Sequence, residues 1–383
     1  MKHISEREEE LPYGVIHKLL KIAVEDKSII SLGPGEPDFP APPEIIEHTK
    51  KIADQVNHYS PPAGRHELKE ALVKKVRKEN KIKADFDMVL PTTGSQEGLM
   101  LAMMCTIDAT EQIIIPNPGF FGYVSTAELV DAVPMPLQLK EENKFEPDPD
   151  DIKKVITGKT SAILLNTPAN PTGNVISKKI LEEIADIAID KDLYVFSDEA
   201  YEHIIYDNAK HVSIGSLNGM HDYVVSLFTF SKSFAMCGYR IGYAVGPKDL
   251  IEAMAKSHTY TTIATPTISQ FLALRALEMK RTYTNMMVKE YKRRRNMLVK
   301  RLNDMGFPTH MPQGAFYAFS NIQRFDKDSK RFAATLLEKA KVAVVPGIEF
   351  GIYGEGFIRV SFATKYELIE KALDRIEKFL QKY

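Results

Sequence analysis

Short unbroken apolar runs, each closed by a turn residue, recur through the first two thirds of the chain, with helically spaced stretches between them. Ile29-Ile30-Ser31-Leu32 leads into the turn Gly33-Pro34-Gly35-Glu36-Pro37, and Met88-Val89-Leu90 precedes Thr92-Thr93-Gly94-Ser95. Gln112-Ile113-Ile114-Ile115 ends at Pro116, Ala162-Ile163-Leu164-Leu165 at Asn166-Thr167-Pro168, and Leu193-Tyr194-Val195-Phe196 at Ser197-Asp198. Residues 224–228 and 241–245 complete the set. Runs of this length read as strands buried on both faces. Helical spacing covers 15–24, 67–80 (Leu68, Leu72, Val73 and Val76 on one side), 96–105 and 181–190. The alternation predicts an α/β fold whose mostly parallel sheet is covered by helices. A ligand would sit beyond the strand ends, where Asn166, Asp198 and Thr229 would gather.

After about residue 280 the pattern changes. A long charged helix is predicted over 283–305, then apolar runs at 315–319, 342–345 and 358–362, and a terminal helix from Lys365. These predict a smaller α+β domain. The expected division is a large domain over 45–280 and a small one made of 1–44 with 281–383.

A length of 383 residues suits such a pair. A net charge of −1 gives no reason to expect nucleic acid or an anionic membrane as partner. Cys105 and Cys237 lack metal-ligand spacing, so neither a disulfide framework nor a zinc site is expected. The first ten residues are charged and carry no apolar signal core, and no run of about eighteen apolar residues exists. A cytoplasmic protein is the expectation.

The chemistry concentrates in Thr229-Phe230-Ser231-Lys232-Ser233-Phe234 and in Arg240, eight residues after Lys232. A lysine that forms a Schiff base needs surroundings that let its amine be neutral, and an anion site beside it to hold an aldehyde cofactor. An apolar strand leading into hydroxyls, a lysine and then an arginine offers both, and pyridoxal phosphate carries the matching aldehyde and phosphate. Gly94-Ser95-Gln96 stands at a helix start, where outward amides favour an anion, although such a turn is also a plain N-cap. Asp198 follows a buried strand; it either caps the next element or keeps the pyridine nitrogen protonated. Tyr201 and Asn170 are candidate donors to the ring's phenolic oxygen, and Phe120 is a candidate to stack on the ring. Arg359 sits inside an apolar strand, which is costly without a partner; a substrate carboxylate or a structural ion pair would each supply one.

Together these motifs resemble the class I/II pyridoxal-phosphate aminotransferases of fold type I, and more narrowly their prokaryotic aspartate and aromatic branch. The resemblance runs from Gly33-Pro34-Gly35-Glu36-Pro37-Asp38-Phe39 through Tyr59-Ser60-Pro61-Pro62-Ala63-Gly64, Asn170-Pro171-Thr172-Gly173, Ser197-Asp198-Glu199 and Ser231-Lys232 to Arg359. It implies that Lys232 holds pyridoxal 5'-phosphate covalently, that Asp198 pairs with the pyridine nitrogen, and that Tyr201 and Asn170 bond the phenolic oxygen while Phe120 stacks. It further implies a phosphate site of Gly94, Ser95, Gln96, Thr229 and Arg240, with Ser231 among the cofactor-binding residues. Tyr59 would reach the phosphate of the other subunit of a homodimer. Arg359 would grip the substrate carboxylate, with the Gly35 backbone and Asn170. Three positions depart from the pattern. Gln96 is neutral where aspartate-selective relatives often carry lysine, Phe120 replaces a common tryptophan, and Tyr13 falls where smaller residues are usual.

The reading is an aminotransferase working in two half-reactions, from an L-amino acid (aspartate, or an aromatic or neutral one) to a 2-oxo acid such as 2-oxoglutarate. Lys232 would act as base and then acid. The alternatives are a β-lyase or a cyclase of the aminocyclopropane type on the same scaffold, a transcription regulator that borrows the fold, and a silent effector-binding protein. Only about thirty residues precede Gly33, too few for a DNA-binding module.

Overall fold

The computed structural model describes residues 4, 5, 8, 11 and 26–381. The helix expected over 15–24, and Tyr13, lie outside the described residues.

Twelve strands are present among these residues: β1 Ile30–Ser31, β2 Val89–Thr92, β3 Gln112–Asn117, β4 Val133–Gln138, β5 Thr160–Asn166, β6 Tyr194–Asp198, β7 Val224–Thr229, β8 Gly242–Val245, β9 Tyr317–Asn321, β10 Val342–Ala343, β11 Val345–Pro346 and β12 Phe357–Ser361. Seven form one sheet in the order β2-β8-β7-β6-β5-β3-β4. Pairings from β7 to β4 are parallel, and β8 runs antiparallel to both β7 and β2. The fold is therefore α/β with a mostly parallel mixed sheet, as the alternation predicts. The apolar runs are buried because they face two cores. Ile114, Ile163, Leu165 and Val195 pack on one side with the helix Lys178–Asp190. Ile113, Ile115, Ala162, Leu164 and Phe196 pack on the other with the helix Ser95–Thr106.

Pattern and structure differ in places with physical causes. β4 carries Pro134 and Pro136, which hide it from a strand reading. It lies at the sheet edge, paired only with β3, where a missing amide costs no ladder bond on the free side. The expected helix over 67–80 is helical over His66–Lys75 and ends in a wider π turn over Val76–Asn80. Lys81, at φ 61°, closes it. The run 342–345 is not one strand. β10 pairs in parallel with β1, and β11 pairs antiparallel with β12 in a second sheet ordered β11-β12-β9. That smaller sheet packs against the long helix Thr282–Asp304 and the terminal helix Tyr366–Leu380, which turns Ile369, Ala372, Leu373 and Ile376 inward. None of the described helices is long and apolar enough to cross a membrane.

Candidate active site

Strands β5, β6 and β7 end together, at Asn166, Asp198 and Thr229. A cleft of about 410 Å³ opens beyond these ends, lined among others by Gly35, Gly94, Ser95, Gln96, Phe120, Asn170, Asp198, Tyr201, Thr229, Ser231, Lys232, Arg240 and Arg359. Of the three strand-end residues expected to gather, Asp198 and Thr229 line it and Asn166 does not. Asn166 braces the wall instead. Its amide donates to the Asp198 carbonyl (3.1 Å), and its Oδ1 accepts from the Asn170 backbone amide (2.7 Å). Tyr59 is 82% exposed and does not line the cleft of its own chain.

One end of the cleft is built for an anion. Gly94, at φ 80°, immediately precedes the helix Ser95–Thr106, whose first amides are unpaired within the helix. The Arg240 guanidinium packs so close that a Cβ on Gly94 would lie 2.5 Å from it. The same guanidinium donates to the carbonyls of Cys237 (3.1 Å) and Thr93 (3.4 Å). Gly242, paired with Thr229 across β7 and β8, lets the helix start approach: a Cβ there would meet the Ser95 amide nitrogen at 2.7 Å. The Thr229 hydroxyl caps the turn that follows, accepting from the Ser231 amide (3.1 Å), and stands 3.0 Å from the Ser231 hydroxyl. That turn presents Lys232, whose Nζ donates to the Gly35 carbonyl (2.7 Å).

Asp198 ends β6, between the ends of β5 and β7. Burial raises its carboxyl above the ordinary range, while the Tyr123 hydroxyl, the Ala200 amide and Lys232 act in the opposite direction. Tyr123 donates to one carboxylate oxygen (2.6 Å) and the Ala200 amide to the other (3.1 Å), which fixes the carboxylate plane. Tyr201 is buried, and burial together with Tyr317 pushes its phenol well above the usual value. Its hydroxyl lies 2.8 Å from that of Tyr317.

Arg359, on β12, is 2% exposed. It donates to Asn170 Oδ1 (2.9 Å) and to the Gly33 carbonyl (2.7 Å), and its Nε has no partner. Burial lowers its affinity for the proton, the direction expected of a cation without a carboxylate. Phe120 lies edge-on to Tyr123, with ring centroids 5.4 Å apart. Gln96 is committed through its amide, which donates to the Thr126 hydroxyl (2.7 Å).

Two residues of this set escape a reading by motif. Tyr123 and Tyr317 are almost fully buried, at 1% exposure each. The signal for both was a tyrosine in an otherwise apolar or small-residue segment, whose hydroxyl must find a partner when buried.

Residues 27–376 match the family model of aminotransferase class I and II. The chain is 44% identical to an aspartate aminotransferase of Pyrococcus abyssi, over 96% of this chain and 95% of that one. It is 42% identical to aromatic-amino-acid aminotransferase 2 of Thermococcus litoralis, over 99% and 98%. Its backbone superposes on the aspartate aminotransferase of Thermus thermophilus solved with maleate, at a TM-score of 0.95 and 34% identity, covering 99% of this chain and all of the other. The chain belongs to the class I and II aminotransferases, and its fold is their fold type I. It is a transaminase, moving an amino group from an amino acid to a 2-oxo acid.

Proposed function

We propose that this transaminase binds pyridoxal 5'-phosphate in the cleft through Lys232 and uses it in two half-reactions. The observation that carries the reading is the charge around the cleft. Lys232, Arg240 and Arg359 line it, and none of them forms an ion pair among the described residues. Cations with no carboxylate partner, Arg359 buried, Lys232 half-buried and Arg240 exposed at the cleft, fit a site completed by anions from outside. A phosphate suits the Gly94–Ser95 amides with Thr229, Ser231 and Arg240. A substrate α-carboxylate suits Arg359, whose unpartnered Nε faces the same need. Asp198, fixed by Tyr123 and Ala200, suits a protonated pyridine nitrogen.

When bound, the cofactor supplies an electron sink for the bond at the substrate's Cα. The chain supplies the rest. Arg359 and Asn170 orient the substrate by its carboxylate. Phe120 covers one side of the cleft. Lys232, once its amine is free, takes the Cα proton and returns it, as base and then acid. Tyr201 and Asn170 donate to the phenolic oxygen.

For the amino donor, aromatic and other neutral amino acids fit better than aspartate. Gln96 is neutral and one of its two amide hydrogens is already engaged by Thr126, so no cation stands at that position for a second carboxylate. The relatives' names include both aspartate and aromatic substrates. A homodimer completes the reading. Exposed Tyr59 sits on a segment tied to the helix Thr267–Glu278 through Thr267, which bonds Ser60 (2.9 Å) and the His58 carbonyl (2.6 Å). From there it would reach the partner's phosphate. The division into 45–280 and 1–44 with 281–383 is part of the same proposal, supported by the separate three-stranded sheet and by the pairing of β1 with β10.

The test is a half-reaction screen. Pyridoxal-phosphate-loaded protein is mixed with each amino acid in turn, and the change in cofactor absorbance is followed. Rapid conversion mainly by aromatic or neutral donors is expected. Preference for aspartate would overturn the substrate assignment, and no conversion by any amino acid would overturn the function.

A further inference from the structure

We propose that Tyr317 is a positioning residue that acts on the reacting centre through the hydroxyl of Tyr201. The inference rests on the cofactor reading above and extends it to a residue of the small sheet. Tyr317 opens β9 and is 1% exposed. Its hydroxyl lies 2.8 Å from that of Tyr201, with the two rings edge to face at 84°. Three features hold it there. The Arg359 guanidinium lies over the Tyr317 ring, 4.4 Å from its centroid. β9 is paired with β12, the strand of Arg359, with Tyr317 opposite Ser361. Gly35 leaves room for the hydroxyl, since a Cβ there would come within 3.1 Å of it.

Counting protons gives the pair a direction. Each phenol has one O–H to donate and can also accept. In the chain alone either tyrosine can be the donor. Once Tyr201 gives its only proton to the anionic phenolic oxygen of a bound cofactor, it has none left for Tyr317. The 2.8 Å contact is then a hydrogen bond only if Tyr317 donates to Tyr201. A phenol that accepts a hydrogen bond is a better donor, so Tyr317 strengthens the bond that Tyr201 makes. The titratable groups that act on the pair are Arg359 on β12, Asp198 on β6 and the phenol of Tyr123, while Lys232, Glu36 and Arg240 line the same cleft. Tyr317→Phe changes none of them and keeps the ring beneath Arg359.

The experiment is a pH titration of the visible absorbance of the cofactor-loaded protein, for wild type, Tyr317→Phe, Tyr201→Phe and the double variant. Losing the Tyr317 hydroxyl weakens Tyr201 as a donor. The cofactor's phenolic oxygen becomes more basic, and the proton it shares is held to higher pH. The midpoint of Tyr317→Phe is expected to rise by about 0.5 to 1 pH unit. Its KM for the amino acid is expected to stay within about twofold of wild type, because the ring still carries Arg359. The double variant is expected to titrate with Tyr201→Phe alone, since the effect passes through Tyr201. An unchanged midpoint in Tyr317→Phe, or an additive shift in the double variant, would overturn the inference while leaving the cofactor reading intact. Wild-type protein that takes up no cofactor would overturn both.

Discussion

The turn after β6 separates two polar clusters built on opposite principles. Asp198 and Tyr201 face the cleft, whereas Glu199 and Glu202, on the same turn, face away from it. Behind the turn each carboxylate meets a cation or close hydrogen-bond partners. Lys75 meets both oxygens of Glu202 and is shared with Glu79, His211 meets Glu199 (2.7 Å), and Arg281 meets Glu79. Asn80 bridges Glu202 (2.8 Å) and the Ser213 hydroxyl (2.9 Å), and Ser213 in turn donates to Glu199. In front, Lys232, Arg240 and Arg359 have only carbonyl and amide oxygens. Burial is similar at the extremes, with Glu199 at 0% and Arg359 at 2%. Burial of charge alone therefore does not mark a reacting site; buried charge left without its opposite does. The rear cluster closes its own account of charge and holds the turn. The front leaves charge open for a ligand. His203 joins the two, its Nδ1 3.0 Å from the hydroxyl of Ser233, the neighbour of Lys232.

The largest effect that tests this contrast is at the front. Lys232→Ala removes both the covalent anchor and the proton carrier, so turnover should fall by about 10⁴-fold or more. The folded state should be nearly untouched, because Lys232 gives it one bond to the Gly35 carbonyl and no ion pair. Activity and denaturant unfolding of the cofactor-free variant, measured together, check this. Appreciable residual turnover would remove Lys232 from its role, and a collapse in stability would place it with the rear cluster instead.

The rear predicts the reverse pattern. Burial alone would raise the Glu202 carboxyl; His203, Lys75 and Asn80 more than reverse this and hold it at about 2. Glu202→Gln strips Lys75 of its nearest counter-charge and should cost about 3–5 kcal/mol of stability at neutral pH. The folded value lies below the ordinary 4.5, so the contribution of Glu202 is fully present above pH 4.5 and is lost as pH falls toward 2. Urea unfolding across that window should show the wild-type advantage narrowing as pH drops. A gap independent of pH would mean that Glu202 acts by shape rather than charge.

Much of this contrast was legible in the chain, and the reasons for the remainder are physical. The front residues sit at strand ends and in turn motifs, so local pattern placed Asp198, Lys232 and Arg359 on candidate elements before any contact was known. The sheet was legible for the same reason: β5, β6 and β7 are short apolar runs closed by turn residues. The rear cluster was not. Lys75 and Glu202 are 127 positions apart, and both read as ordinary surface charge on their own segments. Tyr123 and Tyr317 were missed likewise, since their partners lie 75 and 116 positions away. β4 was hidden by prolines that only an edge tolerates, and the run 342–345 gave no sign that it divides between two sheets. Long-range pairing decides all of these, and spacing along one chain carries little of it.

The smallest effect tests whether the front really costs stability. Burial raises the folded-state pKa of Asp198 above 3.8. A carboxyl shifted in this direction favours the folded state while protonated, below pH 3.8. That advantage is lost as pH rises through the raised folded value, so at pH 7 the ionised group weighs against folding. Asp198→Asn should therefore stabilise the cofactor-free protein slightly at pH 7, by less than Glu202→Gln destabilises it. The geometry permits the exchange. The Asn oxygen can still accept from the Ala200 amide, and its NH₂ can donate to the Tyr123 hydroxyl, which accepts as readily as it donates. With pyridoxal phosphate added, the order should invert, because a neutral amide no longer favours the protonated ring nitrogen and the stabilisation gained from cofactor shrinks. Thermal unfolding of both proteins, with and without cofactor, reads all four states. A cofactor-free Asp198→Asn that melts below wild type at pH 7 would put Asp198 among the structural charges and erase the distinction between the two faces of the turn.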